Sequence, residues 1–184
     1  MTSKPSRYSR DEFLARSLDV LSEEGEAKLR VDRLVSKLGV SKGSFYWHFE
    51  NRAEFVRSLA EYWAHSSTQL VVNEIEALTG SPEDRLFSLM QMVSRQDLAG
   101  HDLAMRTWAF HEPEVVPVVR KVDRMRLTFV RGLFREMGFE GDELATRTRI
   151  FVTAISFKRG ILVGEPEDRR QESLRQWHAF FTRP

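Results

Sequence analysis

Gly39 and Ser41 stand one residue apart, and that spacing constrains the chain more than any other feature. Before Gly39, the residues Val31, Leu34, Val35 and Leu38 recur on one face of a short helix. Glycine ends such a helix cheaply, because it accepts a left-handed backbone that other residues resist. Ser41 is then a natural N-cap, its hydroxyl able to accept from the free backbone N–H groups of a following helix. Two short helices joined by so tight a turn have the form of a helix-turn-helix.

The neighbouring sequence carries the same punctuation. Ser9 with Glu12 three residues on predicts a capping box. Leu14, Leu18 and Leu21 continue that first helix to Gly25. Asn51 with Glu54 at N3 opens a long fourth helix, which is expected to join two parts of the chain rigidly. Ser81 followed by Pro82 starts a helix whose Leu86, Phe87, Leu89, Met90, Met92 and Val93 cover most of its circumference, the pattern of a central element. Pro113 and Pro117 are expected early in a helix that runs to Met137. Another helix spans Asp142 to about Val163, and a last one holds Leu174, Trp177, Phe180 and Phe181. With no alternating β pattern, the expected fold class is all-α.

The third helix holds too many rings to bury. At 100° per residue, Phe45 and Phe49 share one face and meet the leucines of the first two helices. Gly43 and Trp47 fall opposite, with Lys42 and Tyr46 on one flank and Ser44 and His48 on the other. This outer surface suits DNA. Lys42 and Ser44 reach base edges or phosphate, Gly43 lets the backbone approach, and Tyr46 and His48 donate to phosphate oxygens. For Trp47 two readings stay open, a DNA contact or packing against the first turn of the fourth helix.

Charge agrees with a localised nucleic-acid contact. The chain's 28 Lys and Arg nearly balance its 27 Asp and Glu. Between Lys28 and Arg52, however, six basic residues face two acidic ones, a local patch on a near-neutral protein. Cysteine is absent and no two histidines stand at i, i+4, so no cofactor or metal is expected. No apolar run reaches membrane-spanning length and the start lacks a secretory pattern, so a cytoplasmic location is expected. There is no glycine-rich phosphate loop and no G-x-S-x-G elbow, and an enzyme is not expected.

The runs "FLARSLDVLSEEG" and "RVDRLVSKLGVSKGSFYWHFENRAEF" resemble the DNA-binding domain of the TetR family of bacterial transcriptional repressors. The likeness covers about Arg7 to Ser67. It implies a helix-turn-helix domain at 1–67, with the motif at about 30–49 and residues 41–48 as recognition helix. It also implies a helical effector-binding and dimerisation domain at 68–184. By that resemblance Lys42, Gly43, Ser44, Tyr46 and His48 face the operator, and Arg52 matches a phosphate-contacting position. Two residues depart from the pattern: Arg30 stands where threonine is common, and Asp32 where arginine is frequent. Arg33 and Lys37 lie outward on that helix and stand in for the missing positive charge.

Beyond residue 70 the likeness is architectural. The helix from Asp142 has two apolar faces, one with Leu144, Phe151, Ile155 and Leu162, the other with Ile150, Phe157 and Ile161. Together with Leu174, Trp177 and Phe181 of the last helix, the second face is expected to form a homodimer interface. Met90, Trp108, Arg126 and Phe129 are the expected lining of a pocket for a largely apolar small molecule. Arg126 lies within the apolar stripe of Val119, Val122, Phe129 and Leu133. It is read either as a partner of a carboxylate such as Asp102 or Glu112, or as an anchor for a polar effector. The expected function is a repressor released from a palindromic operator by an effector. The alternative is a helical dimer whose basic patch binds an acidic protein.

Overall fold

The computed structural model describes residues 8–96, 98–161 and 166–183, with the side chains of all but 158–161, 167 and 168. Among the described residues there is no β-strand. α1 (Arg10–Glu24) begins with the expected capping box between Ser9 and Glu12 and stops at Gly25. A 3-10 turn, Glu26–Leu29, leads to α2 (Val31–Leu38). Arg30, at the N-cap of α2, makes no side-chain capping bond, as expected where a threonine is missing. Gly39 then takes φ 66°, ψ 34°, the left-handed stop read from the sequence. Ser41 caps α3 (Lys42–His48) by accepting from the Ser44 N–H. Asn51 caps α4 (Arg52–Ala64) through the Glu54 N–H.

α4 does not end where its hydrogen-bonding pattern changes. A π-helical segment, His65–Gln69, carries it without a break into α5 (Leu70–Glu76). One rod therefore runs from residue 52 to residue 76. Its first half buries Phe55, Val56, Leu59, Ala60 and Trp63 in one apolar cluster, and its last turns bury Val71 and Ile75 in a second. The π segment lies between them. Such insertions are uncommon and cost helix geometry, so they persist where neighbouring groups hold them.

The remaining helices are α6 (Pro82–Arg95), α7 (Leu98–Ala109), α8 (Val116–Glu136), α9 (Gly141–Ile161) and α10 (Glu167–Thr182). α7 was not foreseen as a separate helix. It lies between α1 and α9 and contacts both, so it shows no simple one-sided apolar stripe. Pro113, expected inside a helix, precedes α8, whose first residues are Val116 and Pro117. The first cluster includes Met105 and Trp108 of α7 and Val118 and Val122 of α8. The apolar core under the N-terminal helices is thus continuous with the middle of the chain, which fixes how α3 is presented.

Candidate nucleic-acid interface and cavity

The rings of the third helix divide as their spacing requires. Phe45 and Phe49 are buried with Phe13 and Phe55. Their centroids lie 5.2–6.3 Å apart, mostly edge to face, the preferred arrangement of aromatic quadrupoles. On the other side Tyr46 is 55% and Trp47 72% exposed. Trp47 does not pack away against α4. A tryptophan so exposed, beside a tyrosine and a lysine on a rigid helix, is an uncommon use of apolar surface.

Two flank residues differ from expectation. Ser44, next to Phe45 in the helix, is only 9% exposed. Its role at the outer surface is reduced to that of a shoulder. The His48 ring sits 5.9 Å from Phe13 and donates from Nε2 to the Tyr8 carbonyl at 2.9 Å, so this nitrogen is already engaged. The outward set is therefore Lys42, Gly43, Tyr46 and Trp47.

Gly43 gives a clean test of this surface. A Cβ built there would meet only the Ser41 hydroxyl, at 3.5 Å, an ordinary contact. Gly43→Ala should raise thermal stability by about 0.5–1 kcal/mol, because alanine loses less entropy in a helix. It should at the same time weaken DNA binding, where the methyl group obstructs the close approach. A melting curve and a duplex titration on the same sample measure both.

The basic residues near α3 are bridled by carboxylates. Lys42 Nζ lies 2.5 Å from Asp32; the hydrogen bond and charge of Asp32 raise the lysine above its usual pKa. Asp32 is thus answered by Lys42, not by Arg33, whose guanidinium donates to the Ala27 carbonyl at 3.3 Å. Lys37 pairs with Glu24 at 2.5 Å. Arg52 donates to Glu112 at 2.6 Å and Arg57 to Glu114 at 3.2 Å, both acceptors lying between α7 and α8. All four cations remain about half exposed, so these pairs contribute little to stability and exchange readily for phosphate.

A cavity lies beside the π segment, where α5, α6, α7, α8 and α9 meet. It encloses about 50 Å³. Arg126 and Phe129 are among the residues that line it. Met90 is buried in the second cluster and Trp108 in the first, and neither reaches the cavity lining. Phe110, two residues past Trp108, is almost wholly exposed. Arg126 takes the carboxylate partner foreseen for it: Nη1 donates to Asp102 at 2.6 Å. It also donates to Ser156 Oγ at 3.2 Å, to Thr68 Oγ1 at 3.0 Å and to the Ser67 carbonyl at 3.3 Å. The last two belong to the π segment.

Asp102 is 1% exposed and shared, since Arg106 Nε donates to its other oxygen at 2.9 Å. Arg106 is held in turn by Asp123 at 2.6 Å. Burial opposes the Arg106 charge, yet its bonds to Asp123 and Asp102 outweigh this and raise its pKa. Of this network the sequence suggested only the Arg126–Asp102 pair. Asp102 and Arg106 stand at i, i+4, a readable signal. Thr68, Ser67 and Ser156 carried none.

The residues expected to pair two copies separate as well. Leu174 and Phe181 are buried within the second cluster and Trp177 packs against it. They close the core of a single chain and leave little surface for a partner. Ile150, Phe157 and Phe180 remain exposed, and Arg106 lies over the Phe157 ring at 5.6 Å. Leu162 and the side chain of Ile161 lie outside the described residues. No described helix is long and apolar enough to cross a membrane.

Residues 13–59 match the family described as "Bacterial regulatory proteins, tetR family". The N-terminal helices thus carry the sequence signature of the TetR family. Over 92 residues it is 25% identical to YerO of Bacillus subtilis, an uncharacterised HTH-type transcriptional regulator. That match takes in 50% of this chain and 32% of the relative, so it spans about a third of that protein's length. Among solved structures, a transcriptional regulator from Rhodococcus sp. Rha1 superposes with a TM-score of 0.74 at 18% identity, over 95% of this chain and 96% of the other. A regulator from Saccharomonospora viridis, solved in complex with choline, gives a TM-score of 0.70 at 16% identity, over 91% and 94%. These likenesses show a shared fold over nearly the whole chain.

Proposed function

We propose that this protein is a homodimeric transcriptional repressor that reads a palindromic operator with α3 and releases it when a small molecule enters the cavity beside the π segment. The observation that carries the reading is the division of α3. Phe45 and Phe49 anchor it in a rigid core, and Lys42, Gly43, Tyr46 and Trp47 are exposed on the outer side. The Arg52–Glu112 pair adds a latch between α4 and the segment before α8. When Arg52 contacts phosphate, Glu112 is released.

Glu112→Gln should therefore strengthen binding to many duplexes alike, since the arginine no longer has to leave a carboxylate. Arg52→Ala should weaken binding and reduce the salt slope by about one phosphate contact. Fluorescence anisotropy at several salt concentrations measures both changes. Equal affinity for wild type and Glu112→Gln would remove the latch from the account.

For dimerisation the reading relies on the apolar side chains left exposed on α9 and α10. An isologous pairing would cover Ile150, Phe157 and Phe180 in both copies at once. Ile150→Glu with Phe180→Glu should give folded monomers in light scattering and weaken operator binding with them. A small-molecule switch is supported by the cavity's contact with the rod that reaches the N-terminal helices, and by the choline found in a neighbour of this fold. An effector must prefer one arrangement of the two heads, with a coupling of about 1–3 kcal/mol.

A further inference from the structure

We infer that the cavity takes a neutral, mainly apolar molecule that presents one hydrogen-bond-accepting oxygen to Thr68 and Ser156. This rests on reading the cavity as the effector site, and it names the chemistry that site accepts. Three observations carry it.

The charges in and behind the wall are already balanced. Asp102 accepts from Arg126 on one oxygen and from Arg106 on the other, and Arg106 has Asp123 as a second partner. Two carboxylates face two guanidiniums. A further charge brought into so dry a wall would lose its hydration and find no free counter-charge. An anion would have to break one of the bonds from Arg126, whose Nε, Nη1 and Nη2 all have partners.

The unspent capacity is that of two hydroxyl groups. Thr68 Oγ1 and Ser156 Oγ both accept from Arg126. A hydroxyl that accepts still has its own proton to give. Among the described residues neither proton has an acceptor, and both side chains are at least nine-tenths buried. A carbonyl, ether or alcohol oxygen in the cavity would take one or both. Around them the lining is apolar, with Val71, Leu89, Phe129, Phe151 and Ile155 among it.

The third observation is size and place. At about 50 Å³ the space holds roughly four water molecules. An organic ligand must part the helices to enter, and its polar end would then bond to the π segment itself. Thr68 lies in that segment, in the rod that continues into α4, so the contact that selects the ligand is also the one that strains the lever.

The test is isothermal titration of the full chain with four probes: 2-hexanone, hexanoate, hexylammonium and benzene. The ketone should bind about tenfold or more tighter than either ion. In the double variant Thr68→Val with Ser156→Ala, the ratio of ketone to benzene affinity should fall about tenfold. That ratio, taken within one sample, cancels any loss of folded protein. Hexanoate or hexylammonium binding as tightly as the ketone would overturn the neutral class while leaving the cavity as effector site. An unchanged ketone-to-benzene ratio in the variant would overturn the part given to the two hydroxyls. Failure of all four probes to bind would overturn the effector-site reading and the inference with it.

Discussion

Phe49→Ala should destabilise the protein by about 3–5 kcal/mol, the usual cost of deleting a fully buried phenylalanine. Phe49 is 1% exposed and its ring touches those of Phe13, Phe45 and Phe55 at 5.2–5.6 Å. These four rings come from α1, α3, the residue closing α3, and α4. Their shared core is what ties the outward face of α3 to the rest of the molecule. Domains of this size have only about 5–15 kcal/mol in all, so the variant should be partly unfolded at 37 °C. Urea denaturation followed by circular dichroism, at fixed protein concentration, measures the loss. Tyr46→Phe, one residue from Phe45, should show almost none. A loss below about 1 kcal/mol for Phe49→Ala would mean that the surrounding rings close over the gap, which their mutual contacts argue against.

Asp102→Asn should cost a similar amount, about 3–5 kcal/mol, for a different reason. The carboxylate lies between two guanidiniums, each about five-sixths buried. Asparagine keeps its shape and removes its charge, which leaves Arg126 without a counter-ion. Arg106 still has Asp123. Adding Arg126→Met should therefore recover much of the loss, because the remaining arginine is paired and the new side chain suits an apolar wall. The single and double variants are compared by the same urea midpoints. A double variant no more stable than Asp102→Asn would show that the penalty is not an unpaired charge.

The sequence was most informative where a helix begins or ends. Ser9 with Glu12, Gly39, Ser41, Asn51 with Glu54, and Ser81 with Pro82 all cap as read. Caps are local: one side chain meets a backbone group two or three residues away, and tertiary packing seldom changes that. The inner and outer rings of α3 were legible for a related reason, since a seven-residue helix has only one face toward its core.

What failed to show in the sequence depended on more distant partners. α7 is packed by α1, α6, α8 and α9, so its apolar residues form no single stripe. The π segment arises in a run, His65–Gln69, with no distinctive composition, and is held by an arginine about sixty residues away. Ser44 is buried although it falls on a flank, because a helical projection does not contain what neighbouring helices cover. Leu174 and Phe181 resembled interface residues because an apolar stripe looks the same whether another helix or another chain covers it. Here α10 lies against α6, and the stripe is spent within one chain.

The central claim is that the exposed side of α3 reads DNA sequence. It is tested most directly by selecting duplexes from a random pool with the wild-type protein, then titrating the enriched duplex and a scrambled one with wild type, Lys42→Ala and Tyr46→Phe. The account predicts enrichment of two related half-sites and a wild-type preference of about a thousandfold or more over the scrambled duplex. Lys42→Ala should erode that preference by about 1–3 kcal/mol if it removes a base contact, with an unchanged melting temperature. A pool that yields no preferred duplex, or a preference that both variants retain in full, would contradict it.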